Sequence, residues 1–304
     1  MKLLYLPAYS KPELVATSNI SDNRNHAFID AGFRIEAYTP TPCRGLTLEL
    51  RKKYKKKEYR IETYYGGYMI LHRFPLFSEG NNAIIRAFRY VCCWFIHFYK
   101  GLQAKNVDCI YLASTPPIQG MLGALLKKIK KVPFVYNLQD IFPDSLVAAG
   151  MTHKGSILWK IGRVIENFTY KNADKIIVIS EDFKRNIMAK GVPEEKIVVI
   201  YNWVDENAVV PVAKGDNPLY EQFGISRDKF HVVYAGNLGN AQNIDVIIDT
   251  AAKLRDREDI EFVIFGSGGS EAEIKSRISK EGLHNVKMFP LQPAEMVSFV
   301  YSLG

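Results

Sequence analysis

Asp140 stands just past a β-branched and aromatic run, Phe134 to Leu138, where a strand should give way to a helix. A carboxylate at a strand exit is free to meet a ligand, and this makes Asp140 the chain's best candidate for chemistry. Asp144, four residues on, precedes an apolar run and reads as a helix cap. Two glycine loops offer a second kind of chemistry. In the stretch Tyr234 to Asn243, Gly236 and Gly239 permit a tight turn, and Asn237, Asn240, Gln242 and Asn243 make the rest of the loop polar. A helix that starts directly after such a loop presents unpaired N–H groups and a partial positive charge, suited to a diphosphate. The stretch Phe265 to Glu273 repeats the device with Gly266, Ser267, Gly268 and Gly269, and Ser270 and Glu273 are spaced as a capping box.

Three further polar segments follow strand-like runs. Thr17 to Asn25 contains Asn19, Asn23 and Asn25; Ser114 to Pro117 contains Thr115 and Pro116; Asn137 to Ser145 contains Asp140. The elements that must position them are short β-branched or aromatic runs, each followed by a segment of helical spacing. The runs are Leu3–Leu6, Arg34–Tyr38, Cys109–Ala113, Phe134–Leu138, Lys175–Ile179 and Lys196–Ile200. After residue 215 come His231–Ala235, Glu261–Phe265 and Val286–Phe289, with helices expected over Asn243–Leu254 and Glu271–Lys280. This alternation predicts an α/β protein with two doubly wound, Rossmann-like domains. The Pro, Gly, Asp and Asn content of Glu206 to Pro218 marks a break. The expected domains are therefore 1–205 and 206–304. The second is expected to be incomplete, because such a sheet generally has five or six strands and only three are legible. On that ground this chain is expected to be weakly active or inactive.

At 304 residues, 47% hydrophobic and 24% charged, the chain has material for two cores, which excludes a disordered or collagen-like protein. The net charge of +8 favours anionic partners without choosing among nucleotides, nucleic acid and lipid. Cys43, Cys92, Cys93 and Cys109 show neither zinc-ligand nor disulfide spacing and fit a reducing cytosol. There is no secretory leader pattern, and the most apolar window, Val91 to Phe98, is far shorter than the ~20 residues a membrane span needs. The glycine loops lack the third glycine of a dinucleotide fingerprint and the lysine of a phosphate-binding P-loop. Neither Asp205-Glu206 nor Asp256 to Asp259 is placed to hold a divalent cation, so no metal is expected.

In order and spacing, these segments resemble the GT-B glycosyltransferases, specifically family 4 retaining transferases of the O-antigen and capsule type, fucosyl or N-acetylfucosaminyl transferase-like. The resemblance runs through Ala31–Pro40, Ser114–Pro117, Asp140–Ser145, Asn172–Ser180, Gly191–Asp205, Gly236–Gly239 and Phe265–Gly269. It implies that the two domains face a cleft, the first binding a lipid-linked saccharide acceptor and the second a nucleoside-diphosphate sugar. Asn19, Asn23, Asn25, Thr115 and Pro116 would then meet the acceptor. Gly236, Asn237, Gly239, Asn240, Gln242, Asn243 and Gly266 to Gly269 would hold the donor diphosphate, with Pro290 and Leu291 beside the nucleobase. Asp140 would position the acceptor hydroxyl or take its proton. The chain departs from many relatives in carrying amides where they place Arg or Lys near the phosphates, and the family's usual donor motif has no counterpart here. The implied reaction belongs to surface polysaccharide synthesis, without cofactor and without nucleic acid. A sugar-nucleotide epimerase or a non-catalytic binding protein are the alternatives.

Residues 83–105 add one more expectation. On a helix, Arg86, Arg89, Cys93, His97 and Lys100 form a narrow polar stripe, while Ile84, Phe88, Val91, Trp94, Phe95, Phe98 and Leu102 cover much of the rest. With the basic run Arg51 to Lys57, this predicts peripheral attachment to an anionic membrane, at the inner face of the cytoplasmic membrane. A helix packed into the core is the competing reading.

Overall fold

The computed structural model describes residues 1–13, 18–78, 83–204, 206–239 and 242–304, without the side chains of residues 18, 19 and 83. The chain divides into two compact units, Met1–Trp203 and Val204–Gly304.

In the first unit the elements run β1 Lys2–Tyr5, α1 Ser18–Asp30, β2 Arg34–Pro40, α2 Leu48–Lys53, β3 Ile61–Tyr64, β4 Met69–Phe74, α3 Ala83–Gln103, β5 Cys109–Ala113, α4 Gln119–Lys130, β6 Phe134–Leu138, α5 Asp144–Ala148, α6 Ile157–Asn172, β7 Lys175–Val178, α7 Glu181–Ala189 and β8 Ile197–Val199. The strands make one sheet in the order β3-β4-β2-β1-β5-β6-β7-β8, and only β3 is antiparallel. Neighbouring residues of a strand serve opposite faces. Leu4, Ile110 and Leu112 enter one core under the helices, and Leu3, Ile35 and Tyr111 enter the other with Phe28 of α1. Burial on both faces explains why these strands read as continuous apolar runs. The β3–β4 hairpin is an addition to the sequence reading. Its turn rests on positive φ at Tyr65, Gly66 and Gly67, which a Gly-Gly pair makes possible.

The second unit runs α8 Leu219–Gln222, β9 Phe230–Asn237, α9 Asp245–Lys253, β10 Ile260–Ser267, α10 Glu271–Glu281, β11 Val286–Phe289 and α11 Val297–Tyr301. Its sheet has the order β11-β10-β9, all parallel. Phe262 and Ile264 face α9 and α10, while Val263 and Phe265 face α8 and α11.

Helix α3 is turned inside out relative to an ordinary surface helix. Arg89, Cys93 and His97 are fully buried, whereas Ile84 is 79% and Phe95 62% exposed, with Phe88, Val91 and Leu102 also exposed. Only Trp94 and Phe98 of the apolar set pack on the core. The buried polar stripe is partly bonded, with the Arg89 Nη1 and Nη2 groups buried and left without a hydrogen bond among the described residues. Gln119 Nε2 donates to Leu6 O at 2.6 Å and to His97 Nδ1 at 2.9 Å, which leaves His97 Nε2–H to donate to Tyr38 O at 3.0 Å. Burial holds the His97 imidazole neutral, with its pKa lowered to about 3. Arg89 Nε donates to Phe77 O at 2.9 Å, and its guanidinium lies over the Tyr9 ring. Among the described residues no helix is long and apolar enough to cross a membrane.

Candidate functional site

In the second unit the parallel register sets Gly236 opposite Gly266 and Asn237 opposite Ser267. Both glycine loops therefore leave the sheet side by side at its carboxyl edge, where open α/β sheets bind ligands. They are stitched together by backbone. Leu238 N–H donates to Ser267 O and Ser270 N–H donates to Leu238 O, each at 2.9 Å, around the fully buried Leu238 side chain. A Cβ on Gly268 would lie 2.4 Å from Leu238 O, and one on Gly266 2.8 Å from Gly236 O. These two glycines are thus required for one loop to approach the other. Gly239 differs, since a Cβ there would meet only side chains, Asn237 Nδ2 at 2.7 Å and Gln242 Oε1 at 3.0 Å. Gly269 faces open space.

The polar residues of the first loop are partly engaged with each other. Asn237 Nδ2 donates to Gln242 Oε1 at 2.9 Å, and Asn237 O accepts from the Tyr234 hydroxyl at 2.8 Å. Asn243 is exposed with φ +47°, and Asn240 lies outside the described residues. The cap of α9 is Ile244, whose side chain makes no hydrogen bond to the first turn; Val246 and Ile247 N–H turn back to Asn243 O and Ile244 O, and the partial positive charge of the helix end remains without a side-chain cap. The capping box expected at α10 is corrected: Ser270 occupies the cap, but at φ −93° its side chain makes no capping hydrogen bond. Sequence reasoning also passed over Arg277 of α10. Its guanidinium binds Asp249, Glu281 (2.6 Å) and Asp245 (2.9 Å), and these carboxylates raise its pKa. It lines a recess with Gly239, Asn243 and Glu273, and it neutralises Asp245 in the first turn of α9. No local spacing signals this, because Arg277 and Asp245 are joined only by the packing of α9 on α10. Pro290 and Leu291 follow β11 and are exposed.

In the first unit Ser114 organises the exit of β6. The Ser114 hydroxyl accepts from the backbone N–H of Gln139 at 3.0 Å and of Asp140 at 3.1 Å. Among the described residues the Asp140 side chain has no charged or hydrogen-bonding partner, and desolvation alone raises its pKa above the ordinary carboxylate value. Asp144 is corrected from cap to ion-pair partner. Pro143 takes the cap position, while the Asp144 carboxylate binds Lys190 Nζ at 2.7 Å, which holds its pKa down. Thr115 is exposed and Pro116 buried. Asn25 is buried and donates to the Tyr65 hydroxyl at 3.3 Å, Asn23 is exposed, and the Asn19 side chain lies outside the described residues.

A recess beside Asn25, lined by Tyr5, Tyr9, Lys11, Asp22, Arg24 and Tyr65 among others, was not legible in sequence. Arg24 lies 4.6 Å from the Tyr5 ring centre and 5.0 Å from that of Tyr111, and its Nη2 donates to Asn25 Oδ1 at 2.9 Å. Among the described residues, no three His, Cys, Asp or Glu side chains converge so as to hold a metal ion.

A model described as Glycosyltransferase Family 4 matches residues 26–208, and one described as Glycosyl transferases group 1 matches residues 218–303. The chain is 28% identical over 311 residues to WcaI of Escherichia coli, named for glycosyl transfer in colanic acid biosynthesis, and covers 75% of it. It is 27% identical over 228 residues to WbjE of Pseudomonas aeruginosa, named as a glycosyltransferase, with 75% of this chain matching 56% of that one. Among solved structures, HepE of Anabaena in complex with UDP superposes with a TM-score of 0.67 at 17% identity, over 99% of this chain and 72% of that one. With the first of these models spanning more than half of the chain, and the paired glycine loops lying within the region matched by the second, the chain belongs to glycosyltransferase family 4 and has the α/β architecture of the GT-B glycosyltransferases.

Proposed function

We propose that the protein transfers a sugar, with retention of configuration, from a nucleoside diphosphate to a lipid-linked saccharide in surface polysaccharide synthesis of the O-antigen or capsule type. The observation that carries the donor half is the pair of glycine loops joined at one sheet edge beside the uncapped N-terminus of α9. Negative charge develops on the leaving diphosphate during transfer, and a fixed helix dipole stabilises it without reorganisation. The reading therefore uses no metal ion. The UDP bound by HepE and the naming of WcaI for colanic acid biosynthesis support a nucleotide-sugar donor and a polysaccharide product. Asp140, unpaired and raised by desolvation, positions the acceptor hydroxyl and accepts its proton. Pro290 and Leu291 flank the base, the amides of the first loop and Ser267 to Gly269 face the phosphates, and Asn19, Asn23, Asn25, Thr115 and Pro116 belong to the acceptor side.

The lipid-linked acceptor places the enzyme at the inner face of the cytoplasmic membrane, and the exposed side of α3 supports contact with it. Helix α3 packs beside α4, and α4 beside α6. The exposed Ile84, Phe88 and Phe95 of α3 are thus joined by Ile129 of α4 and by Ile157 and Val164 of α6. Lys105, Lys131 and Lys160 are exposed on or next to the same helices. Apolar side chains flanked by lysines suit an anionic bilayer.

Incubating the protein with bacterial membranes and radiolabelled nucleotide-sugars tests the reaction. Label in extractable lipid is the expected result. Label in an altered free nucleotide-sugar would replace it with the epimerase reading, and no conversion with retained binding would leave a binding protein. Co-sedimentation tests the membrane: salt-sensitive binding to anionic liposomes is expected, and should be lost in a Phe88→Glu plus Phe95→Glu variant. An unmodified protein that ignores anionic liposomes at low salt overturns this part.

A further inference from the structure

Every other charged group around the recess at Asn25 has a counterpart. Lys11 Nζ is 2.6 Å from Asp22, and Asp22 also accepts from the Tyr65 hydroxyl. Glu13 is buried and accepts from the backbone N–H groups of Cys43 at 2.9 Å, Arg44 at 3.0 Å and Ser10 at 3.2 Å. Arg24 is the exception. No carboxylate pairs with it among the described residues; its Nε is buried without a hydrogen-bond partner, and the side chains that its guanidinium does meet, Asn25, Tyr5 and Tyr111, are neutral. The Tyr5 and Tyr111 rings hold the guanidinium by their faces, which fixes its plane without supplying a counterion.

Leaving a buried cation without a counterion is costly, and a ligand anion that supplied one would recover that cost on binding. The guanidinium fork matches the two oxygens of a carboxylate or phosphate. Around it, the tyrosine rings and hydroxyls at Tyr5, Tyr9 and Tyr65 offer the mixed apolar and polar surface that a sugar ring needs. The recess sits by the end of β1 and the first half of α1, in the unit assigned to the acceptor.

We propose that Arg24 selects an acceptor saccharide bearing an anionic group, a sugar carboxylate or a sugar phosphate, by direct ion pairing in this recess. The inference rests on the assignment of the first unit to the acceptor, and it adds the charge class of that acceptor. Neutral saccharides, by the same argument, leave Arg24 unpaired and bind weakly.

The test uses the whole chain and three probes: glucuronate, glucose 6-phosphate and glucose, measured by ligand-observed NMR. One or both anionic probes are expected to bind about tenfold or more tightly than glucose, the scale of a charge-assisted hydrogen bond. A preference for glucuronate assigns the carboxylate, and one for glucose 6-phosphate assigns the phosphate. In Arg24→Gln the preference should fall below about twofold, with Arg24→Lys between. Equal binding of all three probes by the unmodified protein, or an undiminished preference in a folded Arg24→Gln variant, overturns the proposal. If Arg24→Gln does not fold, the Nε–H resonance of Arg24 in the unmodified protein decides: a shift on adding an anionic probe and none with glucose supports the site, and no shift with any probe removes it. UDP binding is read in the same samples. Loss of UDP binding with the anion preference intact would count against the donor assignment and leave this inference standing, and the reverse result would do the opposite.

Discussion

The two carboxyl sheet edges are built in opposite ways. In the second unit the surface proposed for the donor is built from backbone: Gly266 and Gly268 let two loops touch main chain to main chain beside a helix end without a side-chain cap. In the first unit it is built from side chains, with the Ser114 hydroxyl fixing the exit of β6, Asp140 left unpaired beside it, and Arg24 braced by tyrosines. The difference matches the ligands proposed for each. A diphosphate is the same in every nucleotide-sugar, and backbone dipoles recognise it whatever the surrounding side chains. An acceptor saccharide differs from enzyme to enzyme, and only side chains can encode that difference.

Four measurements would break or sharpen this contrast, and the largest effect is expected in the first unit. If Asp140 accepts the acceptor's proton, Asp140→Asn should lower kcat/KM by about 10²–10⁴-fold with UDP affinity unchanged. Because desolvation raises its pKa, the active carboxylate form is lost as pH falls, and the acid limb of the rate profile should be shifted upward from that of an unperturbed aspartate. An Asp140→Asn enzyme that keeps the same acid limb would assign it elsewhere. Next, Gly268→Val should destabilise the second unit by about 1–3 kcal/mol or more, because the added Cβ at 2.4 Å meets Leu238 backbone that cannot swing aside. Denaturant unfolding measures this, and an unchanged midpoint would show that the loops tolerate separation.

Ser114→Ala comes third. It leaves two backbone N–H groups, those of Gln139 and Asp140, without their acceptor and should cost about 1–3 kcal/mol. A matching loss of kcat at constant KM for the donor would tie the hydroxyl to the placement of Asp140. The smallest effect is expected for Gly239→Ala. The new methyl displaces only the Asn237 and Gln242 side chains, so stability should change by less than about 1 kcal/mol. Calorimetry with UDP then tests the site itself: weaker binding in this stable variant supports close approach of the diphosphate at Gly239, and unchanged affinity moves the diphosphate away from it.

The candidate site was legible to unequal degrees for the same reason. A glycine loop between a β-branched strand and an amphipathic helix is a local pattern, so Gly236 to Asn243 and Gly266 to Gly269 could be located by inspection. What those glycines touch was not legible, and Gly266 and Gly268 turn out to serve the neighbouring loop. Arg24, Tyr5 and Tyr111 are brought together from α1, β1 and β5, and Arg277 from α10 meets Asp245 of α9, contacts with no signature in spacing. The β3–β4 hairpin was hidden because its strands are short and β3 exposes Ile61 and Thr63 along one side, which blurs the alternation.

Sequence alone determined the alternation of strands and helices, the parallel sheets and the two glycine loops, because each follows from periodicities of two and 3.6 residues and from punctuation by Gly, Pro and Asn. The same periodicity drew two faces on α3 but did not say which one points inward. That choice fell to tertiary structure. The polar stripe found acceptors and donors in Phe77, Tyr38, Gln119 and, through Gln119, Leu6, residues 12 to 113 positions away from their partners, and these bonds meet both nitrogens of His97 and the Nε of Arg89, though not its Nη groups, while Ile84, Phe88 and Phe95 stay outside. A hydrophobic pattern ranks faces by transfer free energy alone, whereas the folded chain also counts whether each buried polar group is met by a partner.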